Sequence, residues 1–321
     1  RAIVEVIVHL DAYRTYVVEP GQVSASDRRV LHAALAAARA MPDLSADAIA
    51  MIERAFFAPP DAGDTARAAF VARFQQTSGP AAAKGVEDTA LYAYVPLVSR
   101  NEVGGAPDRP LADAPKRMHD ANDARARDWP GAMLATNSHD TKRSADVRAR
   151  LDALSALPDE WARYVARWRR LNRGHKQTVH GRPAPTTNAE YLFYQTLVGI
   201  WPPPAEGRRA DDLPDAAWRH QTRERLRPYA LKAAREAKLS TSWTDSDPEY
   251  EKALDEFVRA SLHVAPDEVF LPDVARLIAL VADGAAHLAL ARVTLHLLSP
   301  GVPDLYQGDE LWNFTLVDPD N

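Results

Sequence analysis

Three clusters hold the residues best suited to chemistry. The first is Asn137-Ser138-His139-Asp140-Thr141-Lys142-Arg143, which follows a short apolar run over 132–136 and precedes a helical pattern. A carboxylate at the C-terminal end of a parallel strand can stabilise a developing positive charge, and an imidazole beside it can donate to a ligand hydroxyl. The same residues also fit a plainer role, in which Asp140 and Ser144 cap the helix and Lys142 and Arg143 are solvated. The second cluster is Lys84-Gly85-Val86-Glu87-Asp88. Lys84, Glu87 and Asp88 fall at i, i+3 and i+4 and share a helix face, where a surface salt bridge is the plainer reading. The third runs over 299–310, where two prolines and two glycines fix a turn that would let Tyr306 and Gln307 face a ligand. An ordinary rigid loop is its alternative.

Other chemistries are excluded by residue type or spacing. Cysteine is absent, which removes thiol catalysis, Cys-ligated zinc and disulfide frameworks. The ten histidines show no HExxH or comparable metal spacing, so no metal or cofactor is expected. Gly79 with Lys84-Gly85 departs from P-loop spacing, and no GxGxxG or G-x-S-x-G occurs. The basic stretch over 163–176 has the look of a nucleic-acid face. A net charge of −5 and the core spacing of Trp161 and Trp168 favour a solvated face instead.

The elements that must position these clusters are mostly helical. Apolar spacing predicts helices over 26–39, 45–57, 64–76, 113–128, 144–154, one opening at Pro158 with Trp161, Val165 and Trp168 as its stripe, then 188–201, 216–239, 248–263 and 272–291, with Pro228 bending the eighth. Strand signals are confined to 13–18, 132–136 and 294–298, and 181–185 and 202–214 read as surface connections. The apolar run over 274–298 is broken by Asp283, His287 and Arg292, which argues against a membrane span. The chain has 321 residues, enough at about 150 residues per domain for two domains. Three short strands so far apart make better sense as strands of one barrel whose loops carry large helical insertions. The chain opens at Arg1 inside an apolar run and stops at a turn sequence, so we expect it to be part of something larger.

Taken together, the segments Tyr13-Arg14-Thr15-Tyr16, residues 73–89, Asn101-Glu102-Val103-Gly104-Gly105 and Ser138-His139-Asp140-Thr141-Lys142-Arg143-Ser144 resemble the maltooligosyl trehalose synthases of the α-amylase superfamily. Tyr194-Gln195-Thr196-Leu197-Val198-Gly199, Trp201-Pro202, residues 232–238, Thr241-Ser242-Trp243, residues 300–310 and Leu316-Val317-Asp318-Pro319-Asp320-Asn321 extend the resemblance in order along almost the whole chain. The resemblance implies a retaining intramolecular transglucosylase, an isomerase of trehalose biosynthesis. It would convert the reducing-end α-1,4 bond of a maltodextrin into an α,α-1,1 bond. The alternatives are a non-catalytic α-glucan-binding module, a related α-glucan hydrolase, or a helical scaffold docking on the rest of such an enzyme.

The implied fold is α/β: the C-terminal part, about strands six to eight, of a (β/α)8 barrel with large, mainly helical insertions. Residues 1–18 would be a barrel segment and 19–130 a helical insertion with a substrate-binding motif. Residues 131–145 would be the barrel strand with the His-Asp motif, 146–290 a second helical insertion, and 291–321 the last barrel strand and following loop. Asp140 would be the transition-state stabiliser, assisted by His139. Lys142, Arg143, Lys84, Glu87, Asp88, Arg14, Tyr306 and Gln307 would bind substrate. Ala93 stands where the resemblance leads one to expect Arg. No Arg-x-Asp motif followed by the glutamate segment is found, so the nucleophile and acid/base are expected upstream and the chain alone is expected to be inactive. Its partners would be a maltodextrin and that missing N-terminal portion, with no nucleic acid or membrane, in the cytoplasm.

Overall fold

In the computed structural model, residues 1–59, 63–203, 207, 209–264, 269–306, 309–317 and 320 are described. Helix dominates, and the chain divides into two compact units, Arg1–Thr89 and Ala90–Asn321.

In the first unit, α1 (Ala2–Val8), α2 (Ala25–Ala40), α3 (Ala46–Phe57) and α4 (Thr65–Ala82) close around Val6, Leu31, Leu35, Ile49, Ile52, Phe56, Val71 and Phe74. Ser24, Ser45 and Asp64 accept the third-residue N–H of α2, α3 and α4, the capping pattern their side chains favour. Phe56 meets Phe74 edge-on at 5.2 Å. Pro80 lies inside α4, and the helix then widens into a π-helical stretch, Ala83–Ala90. Thr89 Oγ1 donates to the carbonyl of Lys84, five residues back, at 2.8 Å.

The expected strand over 13–18 does not form. Its place in the packing is held by a side chain: Gln75 accepts from Val17 N–H at 2.7 Å and donates to Val17 C=O at 2.9 Å. Gln75 Oε1 also takes the Thr15 hydroxyl at 3.0 Å. One buried amide thus does for residues 15–17 what a neighbouring strand would do, so β-propensity had no ladder to express itself in.

The second unit is built from α5 (Leu91–Ala93), α6 (Ala114–Asp128), β1 (Met133–Ala135), α7 (Ala145–Leu154), α8 (Pro158–Leu171), β2 (Gln177–Val179), β3 (Arg182–Ala184), α9 (Thr187–Ile200), α10 (Ala216–Ala237), α11 (Pro248–Ser261), α12 (Phe270–Leu298) and β4 (Val302–Asp304). Its core gathers Trp168, Tyr194, Leu151, Leu154, Leu197, Phe257 and Phe270. α7 packs along both α9 and α12. Gly199 permits the first contact, since a Cβ there would meet Val147 Cγ1 at 2.7 Å. α10 runs on through Pro228.

One further strand expectation and one expected connection are corrected. Residues 294–298 finish α12, because the apolar run continues helically until Ser299-Pro300 stops it. The strand comes just afterwards as β4, which pairs in parallel with β1 in the register Met133↔Val302, Leu134↔Pro303, Ala135↔Asp304. Gly301 makes the join: its φ is +131°, and a Cβ would lie 2.7 Å from the Ala132 carbonyl. The connection over 181–185 is part of an antiparallel hairpin, β2–β3, turned by His180 and Gly181, both at positive φ. By length and composition, α12 is long and apolar enough to cross a membrane. Its Asp273 accepts from Trp168 Nε1 at 3.0 Å, and Arg292 donates to the Ala145 carbonyl and to Asp152.

Candidate functional site

β1 and β4 run side by side, so their C-terminal ends release two loops at the same edge. Loops at that edge are where parallel sheets place ligands. The loop after β1 is a tight turn, Ser138–Thr141, closed by Thr141 N–H to Ser138 C=O at 3.2 Å and by Ser138 N–H to Thr141 Oγ1 at 2.6 Å. His139 and Asp140 occupy its two central positions and are exposed, whereas Thr141, Lys142, Arg143 and Ser144 are all buried. The turn therefore projects the imidazole and the carboxylate on a firmly anchored base.

The capping alternative holds for one residue only. Ser144 caps α7 by accepting Val147 N–H at 3.4 Å, and its hydroxyl also donates to the Asn313 carbonyl. Asp140 plays no part in that cap, and neither Lys142 nor Arg143 is solvated. The Arg143 guanidinium is turned inward, donating to the Val98 carbonyl at 3.3 Å and to the Tyr229 hydroxyl at 3.1 Å. At 2% exposure Arg143 ties the turn to the helical core. Lys142 directs its ammonium over the Tyr92 ring, 5.5 Å from the centroid, a cation–π arrangement.

Main-chain pairing holds the base from one side. Val317 N–H reaches the Lys142 carbonyl at 3.1 Å, and Ser144 N–H reaches the Thr315 carbonyl at 3.0 Å. From the other side comes Glu102, whose carboxylate accepts Lys142 N–H at 2.7 Å and Arg143 N–H at 3.2 Å. Arg148 lies 4.0 Å from Glu102 and donates to the Thr136 carbonyl and to Asn137 Oδ1. Burial pushes the Arg148 guanidinium down to about 10, with Glu102 pulling it back up, so it stays charged at neutral pH. Asn137 in turn donates to both oxygens of Asp309 at 2.7 Å, joining the loop after β1 to the loop after β4. Glu102, Asn137, Arg148 and Asp309 carried no role from spacing, because they meet only through the fold.

The remaining expected site residues are placed as follows. Tyr306, half-buried, accepts Asp309 N–H at its carbonyl, 3.3 Å away, in the loop after β4; Gln307 lies outside the described residues. Lys84, Glu87 and Asp88 sit on the π-helical stretch of the first unit. Lys84 pairs with Asp88 at 2.5 Å, the salt bridge of the plainer reading, and Glu87 accepts the Tyr13 hydroxyl. Arg14 is exposed, its guanidinium 4.7 Å from the Tyr16 ring centroid. The basic stretch over 163–176 is a paired face. Arg163 meets Glu160, Arg167 meets Asp273 and Lys176 meets Glu190, while Trp161 and Trp168 are core. Among the described residues, no three His, Asp or Glu side chains are gathered as a metal site. A narrow, largely apolar slot between α9, α10 and α11 is lined by Ala93, Leu192, Phe193, Leu226, Ala233 and Leu254, among others; His139 and Asp140 do not line it.

No family model matches the chain. It is 39% identical over 249 residues, 78% of its length, to a protein of Mycobacterium tuberculosis that carries the name maltooligosyl trehalose synthase. It spans 29% of that relative. The solved maltooligosyltrehalose synthase from Arthrobacter ramosus matches with 38% identity and a TM-score of 0.78, over 100% of this chain and 36% of that one. A Sulfolobus tokodaii protein described as a hypothetical maltooligosyl trehalose synthase matches with 28% identity and a TM-score of 0.73, over 99% and 38%. With the His-Asp turn in place, the chain is similar in both sequence and fold to about a third of the length of maltooligosyl trehalose synthases.

Proposed function

We propose that this chain supplies part of the active site of an intramolecular transglucosylase. The reaction converts the reducing-end α-1,4 bond of a maltodextrin into an α,α-1,1 trehalose bond. The observation that supports it most is the Ser138–Thr141 turn, which exposes His139 and Asp140 at the C-terminal edge of β1 while the next four residues are buried. In a retaining mechanism one carboxylate attacks the anomeric carbon as a carboxylic acid protonates the leaving oxygen. The released glucose then turns over, and its own anomeric hydroxyl attacks the anomeric carbon of the glycosyl-enzyme as the residue that protonated the leaving oxygen takes the hydroxyl proton back. That step forms the α,α-1,1 bond and frees the carboxylate. Asp140 would bind hydroxyls of the distorted sugar and favour its oxocarbenium-like transition state, with His139 donating beside it. Lys142, oriented by Tyr92, would hold the transferred glucose, and Lys84, Glu87, Asp88, Arg14, Tyr306 and Gln307 would add binding groups.

The nucleophile and acid/base would come from a further portion of the enzyme. Near the turn, Glu102 is engaged by main-chain N–H groups and Asp309 by Asn137 and Asn313, which leaves neither open for that work. We infer that β1 and β4 are neighbouring strands of a larger barrel, with 19–130 and 146–290 as insertions. Met133 and Val302 are exposed, and parallel strands are stable when both faces are covered.

Incubation with maltopentaose, followed by chromatography for a non-reducing product, tests both halves of the proposal. The 321-residue chain should give none. The chain extended by the remaining length of its relatives should give glycosyl-trehalose and lose about 10²-fold or more in kcat with Asp140→Asn. Product from the short chain would overturn the shared-site reading. Binding without turnover in the extended chain would favour an α-glucan-binding module.

A further inference from the structure

Among the described residues of the second unit, Glu102 is the carboxylate that accepts the main-chain N–H groups of Lys142 and Arg143, just after the His139–Asp140 turn. The loop around it is tightly wound. Gly105 N–H returns to the Glu102 carbonyl at 2.6 Å, and a Cβ on Gly105 would meet that oxygen at 2.7 Å. Asn101, fully buried, anchors the loop start by donating to the carbonyls of Leu91 and Tyr94. The Glu102 side chain is therefore aimed, with 12% of its surface exposed. Oε1 takes Val103 N–H at 2.9 Å and Lys142 N–H at 2.7 Å, and Oε2 takes Arg143 N–H at 3.2 Å.

The two N–H groups belong to neither α7 nor the pairing with 315–317, which uses the Lys142 carbonyl and the Ser144 N–H. A buried N–H left without an acceptor is costly, so the main chain at 142–143 sits where Glu102 puts it. Asp140 lies two residues before that point and Lys142 at it. Arg148 carries the constraint onward to Thr136 and Asn137, at the end of β1.

We propose that Glu102 is the positioning residue of this site: it touches no substrate, and it sets where Asp140 and Lys142 are presented. The proposal rests on the transglucosylase reading for its kinetic part and on geometry alone for its structural part. Both oxygens must accept, so the role is specific to a carboxylate. Glutamine at 102 keeps one acceptor but turns an amide group on Arg143 N–H or Arg148. Aspartate keeps the carboxylate with a shorter reach.

The test uses two readouts. In the 321-residue chain, amide hydrogen exchange of Lys142 and Arg143 should speed up about tenfold or more in Glu102→Gln, while Leu151 and Leu154 in α7 stay unchanged. In the extended chain, the same change should lower kcat for maltopentaose about 10²-fold, the order expected of a misplacement near 1 Å, with KM within about threefold. Glu102→Asp should recover part of both and serves as the second variant if Glu102→Gln folds poorly. Unchanged exchange, or faster exchange with unchanged kcat, would overturn the proposal. An extended wild-type chain that makes no glycosyl-trehalose would instead refute the transglucosylase reading, leaving the exchange result to judge Glu102.

Discussion

Removing Gln75 offers a sharp test of how the first unit is held. Gln75→Ala deletes three hydrogen bonds at once, to Thr15 Oγ1, Val17 N–H and Val17 C=O. All three residues are buried: Thr15 at 1%, Val17 at 5% and Gln75 at 5% exposure. An unsatisfied buried polar group costs about 1–3 kcal/mol, and some water would reach the vacated space, so the loss is about 3–5 kcal/mol. A unit of 89 residues, Arg1–Thr89, has about 4–13 kcal/mol in all at 0.05–0.15 kcal/mol per residue. With a urea slope of about 1–1.5 kcal/mol/M, its midpoint should fall by roughly 2–5 M. The assay is selective because all seven tryptophans, from Trp129 to Trp312, lie in the second unit. Circular dichroism follows helix in both units; tryptophan fluorescence follows only the second. We expect an early helical loss in circular dichroism with the fluorescence midpoint unmoved. A circular-dichroism curve identical to wild type would refute the reasoning that a side-chain amide stands in for a strand.

Gly301→Ala should destabilise the second unit by about 2–4 kcal/mol, read as a lower Tm. It adds strain at φ +131° to a clash with the Ala132 carbonyl, and a loss below 0.5 kcal/mol would contradict that geometry. The Arg235 guanidinium beside Glu251, with help from the Thr241 hydroxyl, holds the Glu251 carboxyl below its usual 4.5. A depressed carboxylate stabilises the fold above the unfolded value and loses that contribution as pH falls through the folded one. Stability should therefore drop below about pH 4.5, and Glu251→Gln should flatten that acid limb in urea titrations run from pH 6 to pH 3. An unchanged acid limb would show that the pair contributes nothing to it.

Local signals were read well from the sequence. Helix starts at 46 and 145 follow from Ser45 and Ser144, whose side chains accept the N–H three residues on, while the helix expected from 26 starts at 25 because Ser24 is its cap. The His-Asp turn was legible because it follows a short apolar run that does form β1. What failed was anything decided by a distant partner. Residues 13–18 have strand-forming side chains but meet Gln75 in place of a strand. Residues 294–298 continue a helix whose apolar run gives no local reason to stop before Ser299-Pro300. The hairpin at 177–184 was missed because each strand has three residues, although Gly181 marked its turn. Burial of Lys142 and Arg143 was illegible for the same reason: the groups that accept from their N–H donors are on Glu102, some forty residues away. Charge alone suggested solvent.

The pairing of β1 with β4 joins residues about 170 apart in the chain. Closing an open loop of that length costs about 4–5 kcal/mol in chain entropy, far more than three paired residues return. The intervening helices remove most of that cost. α7 begins ten residues after β1 and packs along α12, which ends four residues before β4, and Arg292 ties α12 to Ala145 and Asp152. Once those two helices dock, the strands are held near each other by short tethers. The edge that presents His139 and Asp140 therefore depends on the docking of α7 against α12 as much as on its own three paired residues.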